Sequence, residues 1–561
     1  MLDHLDSFAV LLDVLKKHAN TTPDQPACVF QPRGKDTAQT LTYEQLSEQI
    51  AERSQLLLSL GYEGKVLALL YPTGLDFVVN FLACLNAGVI AVPLNVTRNA
   101  KQLERTISIL EDANVQAILT TEAAKEQLAT QLDELVLSVN EFVWLTEGIE
   151  NQNSHKDLPH VSSDSVAFIQ YTSGSTSKPK GVMVSHGNII DNMKAIQKAC
   201  GCKPGVVIGG WLPQFHDMGL IGHMLQPLYM GGTYVFMPPL NFIQRPSRWL
   251  RLISDYKIHC SASPNFGFEH CINLISDRED LSDIDLSHWK VAINGSEPVS
   301  AETMRVFASK FAALGFSQQA FTPCYGMAET TLMVSGGPMM TGISALVVDK
   351  DDFEKGIISE QSEGVELVCC GEISAGYTVK IVEPETRIEC KENQIGEIWC
   401  HGPSVAKGYL NNLVKTISDF KATLSVEDGK DYLRTGDLGY VKQNRIYIVG
   451  RIKEMLIIRG RNVFPYDLER SCNRYEYANG GNGTSVFTYQ DQAQSKLAAL
   501  VEINKRFLGQ IDEATLIRDI QQIVFDEHEI TFDQVKIVAP GTIPKTTSGK
   551  VKRTACAHLL V

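Results

Sequence analysis

The sequence lacks three features that would assign it to a common class of proteins. Although 44% of its 561 residues are hydrophobic, no run approaches the roughly 18 apolar residues of a membrane span. Its 13 cysteines include no CxxC pair with zinc-like spacing. Basic residues are not in excess, since the formal net charge is -14 and the pI is near 5.5. These absences argue against a membrane-embedded, zinc-binding or nucleic-acid-binding protein.

The first residues are acidic where a secretory signal would be basic. Asp3 and Asp6 stand in this segment, so we expect a protein that is not secreted. Cysteines scattered singly along a long chain are typical of reduced thiols, and they lead us to expect a cytoplasmic location.

Apolar strand patterns alternate with helical ones over most of the chain. The run from Val66 to Leu70 precedes a helical pattern from Phe77 to Ala87, and strand patterns recur at 115–119 and 233–237. This alternation predicts α/β layers with buried strands. A chain of this length favours more than one domain, and its character changes near 450. We therefore expect a large domain at 1–450 and a small one at 451–561.

The segment YTSGSTSKPKGVMVSH, from Tyr171 to His186, lies between two apolar runs. It is not a G-x-x-x-x-G-K-[ST] phosphate loop. Glycine nevertheless allows backbone N–H groups to approach an anion, hydroxyls can donate, and lysine adds charge. A flexible surface turn is the alternative. The candidate phosphate-binding residues are Thr172, Ser173, Gly174, Ser175, Thr176 and Lys180.

More motifs rich in glycine and ionisable residues follow this segment. They are WLPQFHDMG from Trp211, NGSEP from Asn294, YGMAET from Tyr325, GEI from Gly396, YLRTGDL from Tyr432, GRIK from Gly450 and PKTTSGK from Pro544. Together with Tyr171 to Gly181, this ordered series resembles the adenylate-forming superfamily, which contains acyl-CoA synthetases, peptide-synthetase adenylation domains and luciferases. The resemblance covers nearly the whole chain.

The resemblance implies a fold and a reaction. The fold is α/β, with a large N-terminal domain of two β-sheets and surrounding helices plus a distorted β-barrel, and a small mobile α+β C-terminal domain. The reaction is attack of a carboxylate on the α-phosphorus of ATP, with Mg²⁺ as cofactor. Because two anions approach each other, positioned cations and donors are the main available catalyst.

The resemblance also gives roles to individual residues. Lys550 would hold the α-phosphate and the substrate carboxylate, and Glu329 would be a catalytic magnesium ligand. His216 would line the acyl pocket, and Lys453 would be the hinge of the small domain. Asp437 would accept the ribose hydroxyls. The other implied nucleotide-binding residues are Gly295, Ser296, Glu297, Tyr325, Gly326, Met327 and Arg451.

Four of these residues also have a plainer explanation. Lys550 could be a solvated lysine of a basic tail, and Asp437 could be an ordinary turn aspartate. Glu329 could be a glutamate at a helix N-terminus. An ordinary packed histidine is an equal alternative for His216.

Departures from the general pattern indicate one branch of the superfamily. Ala328 stands where most members have threonine, and RGRNVFP follows from Arg459. These features resemble the bacterial fatty acyl-AMP ligases, as does an apparent insertion at about 344–371. Its alternating segments predict a hairpin or an extended strand pair. In that branch, the resemblance implies, the insertion restricts the rotation of the small domain that is needed for coenzyme A to bind.

The resemblance therefore implies a fatty acid substrate, ATP-dependent formation of acyl-adenylate, and transfer to the phosphopantetheine thiol of an acyl carrier protein or a synthetase carrier domain. A conventional fatty acyl-CoA synthetase is the first alternative. An amino-acid adenylating enzyme is less favoured because no Phe-Asp-x-Ser signature stands near Phe215. A non-catalytic nucleotide- or acyl-binding relative is a further alternative.

Overall fold

The computed structural model describes residues 8–33, 37–96, 100–134, 143–146, 156–172, 179–458, 461–479, 483–491, 494–546 and 550–560. The α-helices are α1 Leu11–Thr21, α2 Tyr43–Ser59, α3 Leu75–Asn86, α4 Ala100–Asp112, α5 Glu122–Glu134, α6 His186–Cys200, α7 Gln226–Tyr229, α8 Pro239–Gln244, α9 Ser247–Asp255, α10 Asn265–Leu274, α11 Ala301–Phe311, α12 Lys350–Glu354, α13 Leu413–Phe420, α14 Pro465–Asn473 and α15 Glu513–His528.

The strands are β1 Pro26–Phe30, β2 Gln39–Thr42, β3 Val66–Leu69, β4 Ile90–Pro93, β5 Ala117–Leu119, β6 Trp144–Leu145, β7 Val166–Thr172, β8 Lys180–Ser185, β9 Val207–Gly210, β10 Thr233–Phe236, β11 Cys260–Ser263, β12 Val291–Asn294, β13 Phe321–Pro323, β14 Tyr325–Gly326, β15 Met333–Gly336, β16 Ala345–Val348, β17 Val365–Ile373, β18 Thr378–Val382, β19 Gly396–His401, β20 Leu433–Lys442, β21 Arg445–Arg451, β22 Leu456–Ile458, β23 Arg461–Val463, β24 Thr484–Asp491, β25 Gln494–Glu502 and β26 Gln534–Val538. A π-helix spans Met218–Leu225, and 3₁₀ helices span Ala312–Leu314, Gln318–Ala320, Ala328–Thr330, Ile452–Glu454, Arg553–Ala555 and Ala557–Leu559.

Two mainly parallel sheets form the centre of the molecule. The first has the strand order β6-β5-β3-β4-β7-β8, and the second has the order β13-β12-β11-β9-β10-β1-β2. Strands covered on both faces are apolar throughout, as Leu67, Ala68 and Leu69 of β3 show with no exposed surface. One hydrophobic core contains residues of both sheets and of α6. The predicted α/β layers are confirmed.

A third sheet is antiparallel and lies beside the first two. Its order is β14-β15-β17-β21-β20-β19-β18, with β16 paired to β17. Among the described residues, these pairings trace an open path. The register Ala345↔Val368 to Val348↔Val365 confirms the strand pair predicted between 344 and 371. The hairpin of β20 and β21 places Asp437 opposite Arg451.

The C-terminal segment has its own core. Strands β24, β25 and β26 form a three-stranded sheet, against which α14 and α15 pack through Leu468, Ile520 and Val524, all fully buried. The sequence pattern predicts a helix from Ile511 to His528, and α15 confirms it with a start two residues later. Asp512 caps α15 because its side chain accepts a hydrogen bond from the Thr515 N–H.

The structure bears on two further expectations about the whole molecule. All 13 cysteines are described and each is a free thiol. Among the described residues, no helix is both long enough and apolar enough to span a membrane.

Candidate active site

Asp437 is the centre of a polar contact that joins three strands of the third sheet, β14, β20 and β21. The Tyr325 hydroxyl donates to its Oδ2 at 2.8 Å, and Arg451 Nε donates to its Oδ1 at 2.8 Å. The backbone N–H of Asp437 is bound by Thr435 Oγ1 at 3.1 Å. Only 4% of Asp437 is exposed, and its proximity raises the pKa of the Arg451 guanidinium. A carboxylate oxygen has two acceptor positions, so each oxygen of Asp437 can accept one further donor.

Glu329 lies in the 3₁₀ helix Ala328–Thr330, close to a lysine that the sequence predicts as a phosphate ligand. The Tyr409 hydroxyl donates to Glu329 Oε1 at 2.9 Å, and Lys180 Nζ lies 4.9 Å from the centre of the Tyr409 ring. Burial raises the pKa of Glu329, opposed by hydrogen bonds from its own backbone and from Tyr409. Burial also lowers the pKa of Lys180. Tyr409 therefore holds an anion at its hydroxyl and a cation over its ring.

The loop after β12 brings backbone close to the same region. A side chain at Gly295 would put its Cβ 2.7 Å from Cys324 Sγ, and one at Gly326 would put it 1.7 Å from the Leu332 carbonyl oxygen. Only glycine fits either position. Ser296 adopts a positive φ of 69°, and Glu297 accepts a hydrogen bond from the Phe266 N–H at 2.5 Å. The N–H of Met327 is bound by Thr330 Oγ1 at 3.2 Å.

His216 and Asp217 form a pair at the start of the π-helix. His216 Nδ1 lies 2.6 Å from Asp217 Oδ1, with 26% and 14% of the two side chains exposed. The same oxygen accepts the N–H of Met218 at 2.7 Å. Behind the pair is an apolar wall that includes Met218 and Leu212. The π-helix is a rare conformation that occurs often at functional sites.

The C-terminal tail brings Lys550 to these residues. Burial and the nearby Arg451 guanidinium lower the pKa of Lys550, while Asp217, Glu297 and Asp437 act in the opposite direction. These three carboxylates come from three separate motifs, WLPQFHDMG, NGSEP and YLRTGDL, and each is near enough to Lys550 to act on its ammonium.

The structure places the remaining predicted residues as follows. Thr172 ends β7 and pairs with Lys180 of β8, and its carbonyl accepts a hydrogen bond from Arg105 Nη2 at 3.1 Å. Ser173, Gly174, Ser175 and Thr176 lie outside the described residues. Lys453 is exposed within the 3₁₀ helix Ile452–Glu454. The structure thus brings Tyr325, Asp437 and Arg451 into contact, with Glu329 and Lys550 near the Arg451 guanidinium. We call this group of residues the cleft.

Two residues near this cleft are missed by sequence reasoning. Tyr409 follows the GEI motif and carries no charge that would single it out. Asp217 stands inside a quoted motif, but only its contact with His216 gives it a role. The adjacent His-Asp pair at a loop end could have indicated it, because carboxylates commonly orient histidines.

The arrangement suits binding of a polyanion next to a carboxylic acid. Lys180, Arg451 and Lys550 supply positive charge, and Asp437 supplies free acceptor positions. Within the described part of the chain, no group of three or more His, Cys, Asp or Glu residues is placed to hold a metal ion.

Two family models match the chain. The one described as AMP-binding enzyme matches residues 15–410. The other, described as the AMP domain of Disco-interacting protein 2-like proteins, matches residues 453–559.

Individual relatives match over nearly their whole length. The chain is 35% identical over 560 residues to the medium-chain fatty acid–acyl carrier protein ligase JamA of Moorena producens (strain JHB), covering 98% of this chain and 94% of the relative. It is 34% identical over 570 residues to the 4-hydroxyphenylalkanoate adenylyltransferase of Mycobacterium tuberculosis, covering 97% and 90%.

Solved structures match as fully. The fatty acid AMP ligase from Legionella pneumophila superposes with a TM-score of 0.78 at 35% identity, covering 99% of this chain and 97% of that one. A structure from a study of fatty acyl-adenylate ligases from E. coli and L. pneumophila superposes with a TM-score of 0.87 at 29% identity, covering 99% and 98%.

Proposed function

Because this chain belongs to the AMP-binding family of adenylate-forming enzymes, we propose that it is a fatty acyl-AMP ligase. It activates a fatty acid with ATP to acyl-adenylate and pyrophosphate, and then passes the acyl group to the phosphopantetheine thiol of an acyl carrier protein. The names of its relatives support this substrate and this acceptor. The observation that carries the site assignment is the contact of Asp437 with Tyr325 and Arg451, which lies near enough to Lys550 for the Arg451 guanidinium to lower its pKa.

The first half-reaction joins a carboxylate oxygen to the α-phosphorus while the bond to pyrophosphate breaks. Lys550 bridges the two reacting anions and lowers their repulsion. Asp437 accepts the ribose hydroxyls, with Arg451 and Tyr325 fixing its orientation. The loop from Thr172 to Lys180 holds the phosphates that leave, and the glycines at 295 and 326 allow the adenine to approach the backbone.

Mg²⁺ fits this site as a cation brought in with the nucleotide. Glu329 offers a carboxylate oxygen whose partner hydroxyl, that of Tyr409, fixes its direction. One protein carboxylate with phosphate and water ligands is an ordinary magnesium arrangement. Bound there, the cation would neutralise phosphate charge.

The acyl group would lie along the π-helix. His216 is held by Asp217 at the entrance, so its imidazole keeps one orientation toward an incoming carboxylate. Leu212 and Met218 continue inward as part of an apolar cluster. This supports an aliphatic chain as the substrate. Thirteen free thiols agree with the proposed cytoplasmic location.

Contacts between the 344–371 segment and the small domain support a carrier protein over coenzyme A as the acceptor. Glu354 of α12 receives two hydrogen bonds from Arg461 of β23, at 2.7 and 2.5 Å. Lys350 Nζ donates to the Glu527 carbonyl of α15 at 2.8 Å. Both contacts hold the small domain where Lys550 faces the cleft, so they oppose a rotation that would open a coenzyme A site.

The role of Lys550 is tested by pyrophosphate exchange. Lys550→Ala should lower the exchange rate about 100- to 1000-fold, the loss typical of removing one donor to developing charge. Lys545→Ala changes a lysine of the same tail and should stay within about twofold, as surface substitutions usually do. Equal rates in both variants would refute the assignment.

The acceptor is tested separately on the wild-type enzyme. After acyl-adenylate has formed from ATP, magnesium and a fatty acid, coenzyme A or a phosphopantetheinylated carrier protein is added. Consumption by the carrier and persistence with coenzyme A are expected. Rapid formation of acyl-CoA would make the protein a conventional synthetase, and binding of nucleotide without exchange would make it a non-catalytic relative.

A further inference from the structure

Arg553 stands three residues after Lys550 and joins the tail to two other elements of the small domain. We propose that Arg553 is a positioning residue for adenylation, which holds the Lys550 tail against the hinge segment and α14 so that the ammonium reaches the cleft. This inference rests on the proposed role of Lys550, and it concerns a side chain that does not itself face the carboxylates of the cleft.

The contact with α14 is a two-point contact between a guanidinium and a carboxylate. Arg553 Nε donates to Glu469 Oε1 at 2.7 Å, and Nη2 donates to Glu469 Oε2 at 2.6 Å. The Glu469 side chain is 6% exposed and that of Arg553 is 19% exposed. Glu469 Oε1 also accepts the Val486 N–H at 2.9 Å, so the carboxylate is fixed to β24. Such paired hydrogen bonds set direction as well as distance.

The third contact reaches the hinge segment. Arg553 Nη1 donates to Glu454 Oε2 at 2.9 Å, and Glu454 directly follows Lys453, the predicted hinge. One guanidinium therefore links the tail, α14 and the residue after the hinge. When the small domain moves, these three parts move together, and Lys550 keeps its position relative to the hinge.

Lys550 itself is bound to its own tail. Its N–H donates to Thr546 Oγ1 at 3.0 Å, and its carbonyl accepts the Thr546 N–H at 2.7 Å. The Lys552 N–H donates to the Pro544 carbonyl at 2.8 Å. These bonds pair the segment 544–546 with the segment 550–552, and we call these two paired segments the hairpin. The orientation of that hairpin relative to the rest of the small domain is then set by the residues that bind it there. Arg553 is one of them, and it makes three charge-assisted hydrogen bonds.

The tail should stay folded without the guanidinium. Ile543 and Cys556 are buried on either side of the hairpin, in a cluster with Phe487 and Leu500. Glu502 also accepts the N–H groups of Gly541 and Ile543, each at 3.0 Å. Replacing Arg553 should therefore let the hairpin change its orientation while it stays attached to the small domain.

The test compares Arg553→Gln, Arg553→Lys and a control in the full-length enzyme. Arg474→Gln is the control because it removes a single-point contact between an arginine and another glutamate, Glu527, in the same domain. Steady-state adenylation and thermal unfolding are both measured for each variant. Arg553→Gln should lower kcat about 10- to 100-fold, the loss typical of a misplacement near 1 Å, while KM for ATP stays within about twofold. Arg553→Lys should recover only part of the rate, since its ammonium keeps a positive charge beside Glu469 but cannot make the two-point contact.

Other outcomes overturn the inference. A kcat for Arg553→Gln near that of the control would show that the guanidinium does not position Lys550. A rise in KM for ATP by the same factor as the fall in kcat would indicate general structural damage, and a full wild-type rate in Arg553→Lys would show that the two-point contact is not needed. If Lys550→Ala keeps the wild-type exchange rate, the proposed role of Lys550 fails, and this inference fails with it.

Discussion

Weakening the contact between Glu354 and Arg461 should release the small domain toward a coenzyme A-using arrangement. In Glu354→Gln the two hydrogen bonds lose their anionic acceptor, while the amide keeps the size of the side chain. The exposed fractions of the two side chains are 27% for Arg461 and 19% for Glu354, so the pair is neither fully exposed nor fully buried. The substitution acts on the orientation of the domain and leaves the cleft unchanged.

The size of the effect follows from that exposure. Hydrogen bonds to charged groups contribute about 1.5–3 kcal/mol when desolvated, and exposed ion pairs contribute about 0.2–1 kcal/mol. We therefore take the contribution of the contact between Glu354 and Arg461 as about 1–2 kcal/mol, between these two ranges. Since 1.4 kcal/mol is a factor of ten, the minor orientation should become about 5- to 30-fold more populated, and acyl-CoA formation should rise by the same factor.

The assay follows acyl-CoA formation from ATP, a fatty acid and coenzyme A by chromatography, with acyl-adenylate measured in parallel. Glu366→Gln is the matched control, because Glu366 lies in the same 344–371 segment but binds Arg305 within the large domain. Its acyl-CoA rate should stay at the wild-type level. An unchanged rate in Glu354→Gln, or an equal rise in both variants, would refute the reasoning.

Two further predictions concern the cleft. The pKa of Lys550 is lowered, so its ammonium loses its proton at a lower pH than an ordinary lysine does, and the adenylation rate should fall at that pH. Lys550→Arg should shift this alkaline limb of the pH–rate profile to higher pH. An alkaline limb at the same pH in both enzymes would contradict the assignment. Tyr409→Phe removes a hydroxyl from the Glu329 carboxylate and should raise the Mg²⁺ concentration for half-maximal rate about tenfold, as expected for losing a hydrogen bond to a charged group. Tyr475→Phe, which also loses a hydroxyl bound to a carboxylate, should leave that concentration unchanged, and an equal shift in both variants would count against Tyr409.

The sequence predicted the layers of the fold better than their connections. Buried parallel strands are apolar along their whole length, so the run at 66–70 could be assigned without knowing its neighbours. Which strands pair depends on long-range contacts, and nothing in the residues of β1 indicates β10 as its partner. The break near 450 and the roles of the site residues stay predictions.

The candidate site was predictable where a motif carries charge. Asp437, Glu329 and Lys550 are ionisable residues within glycine-bearing motifs, and the resemblance identified them. Tyr409 was missed because its role exists only once folding places Glu329 at its hydroxyl and Lys180 over its ring. Arg553 stands near three lysines, a pattern that suggests solvated charge, and only the structure shows its carboxylate partners.

The parallel pairing of β1 with β10 has a consequence for synthesis of the chain. Cys28 lies opposite Tyr234, so β1 has no parallel neighbour until some two hundred more residues have left the ribosome. During that interval β3, β4 and β5 can already assemble, because they are close together in sequence. Contacts between distant residues form slowly, and exposed apolar strands favour aggregation while they wait. We therefore expect nascent chains released before β10 to depend on chaperones, with the segment around Cys28 as the surface that is bound.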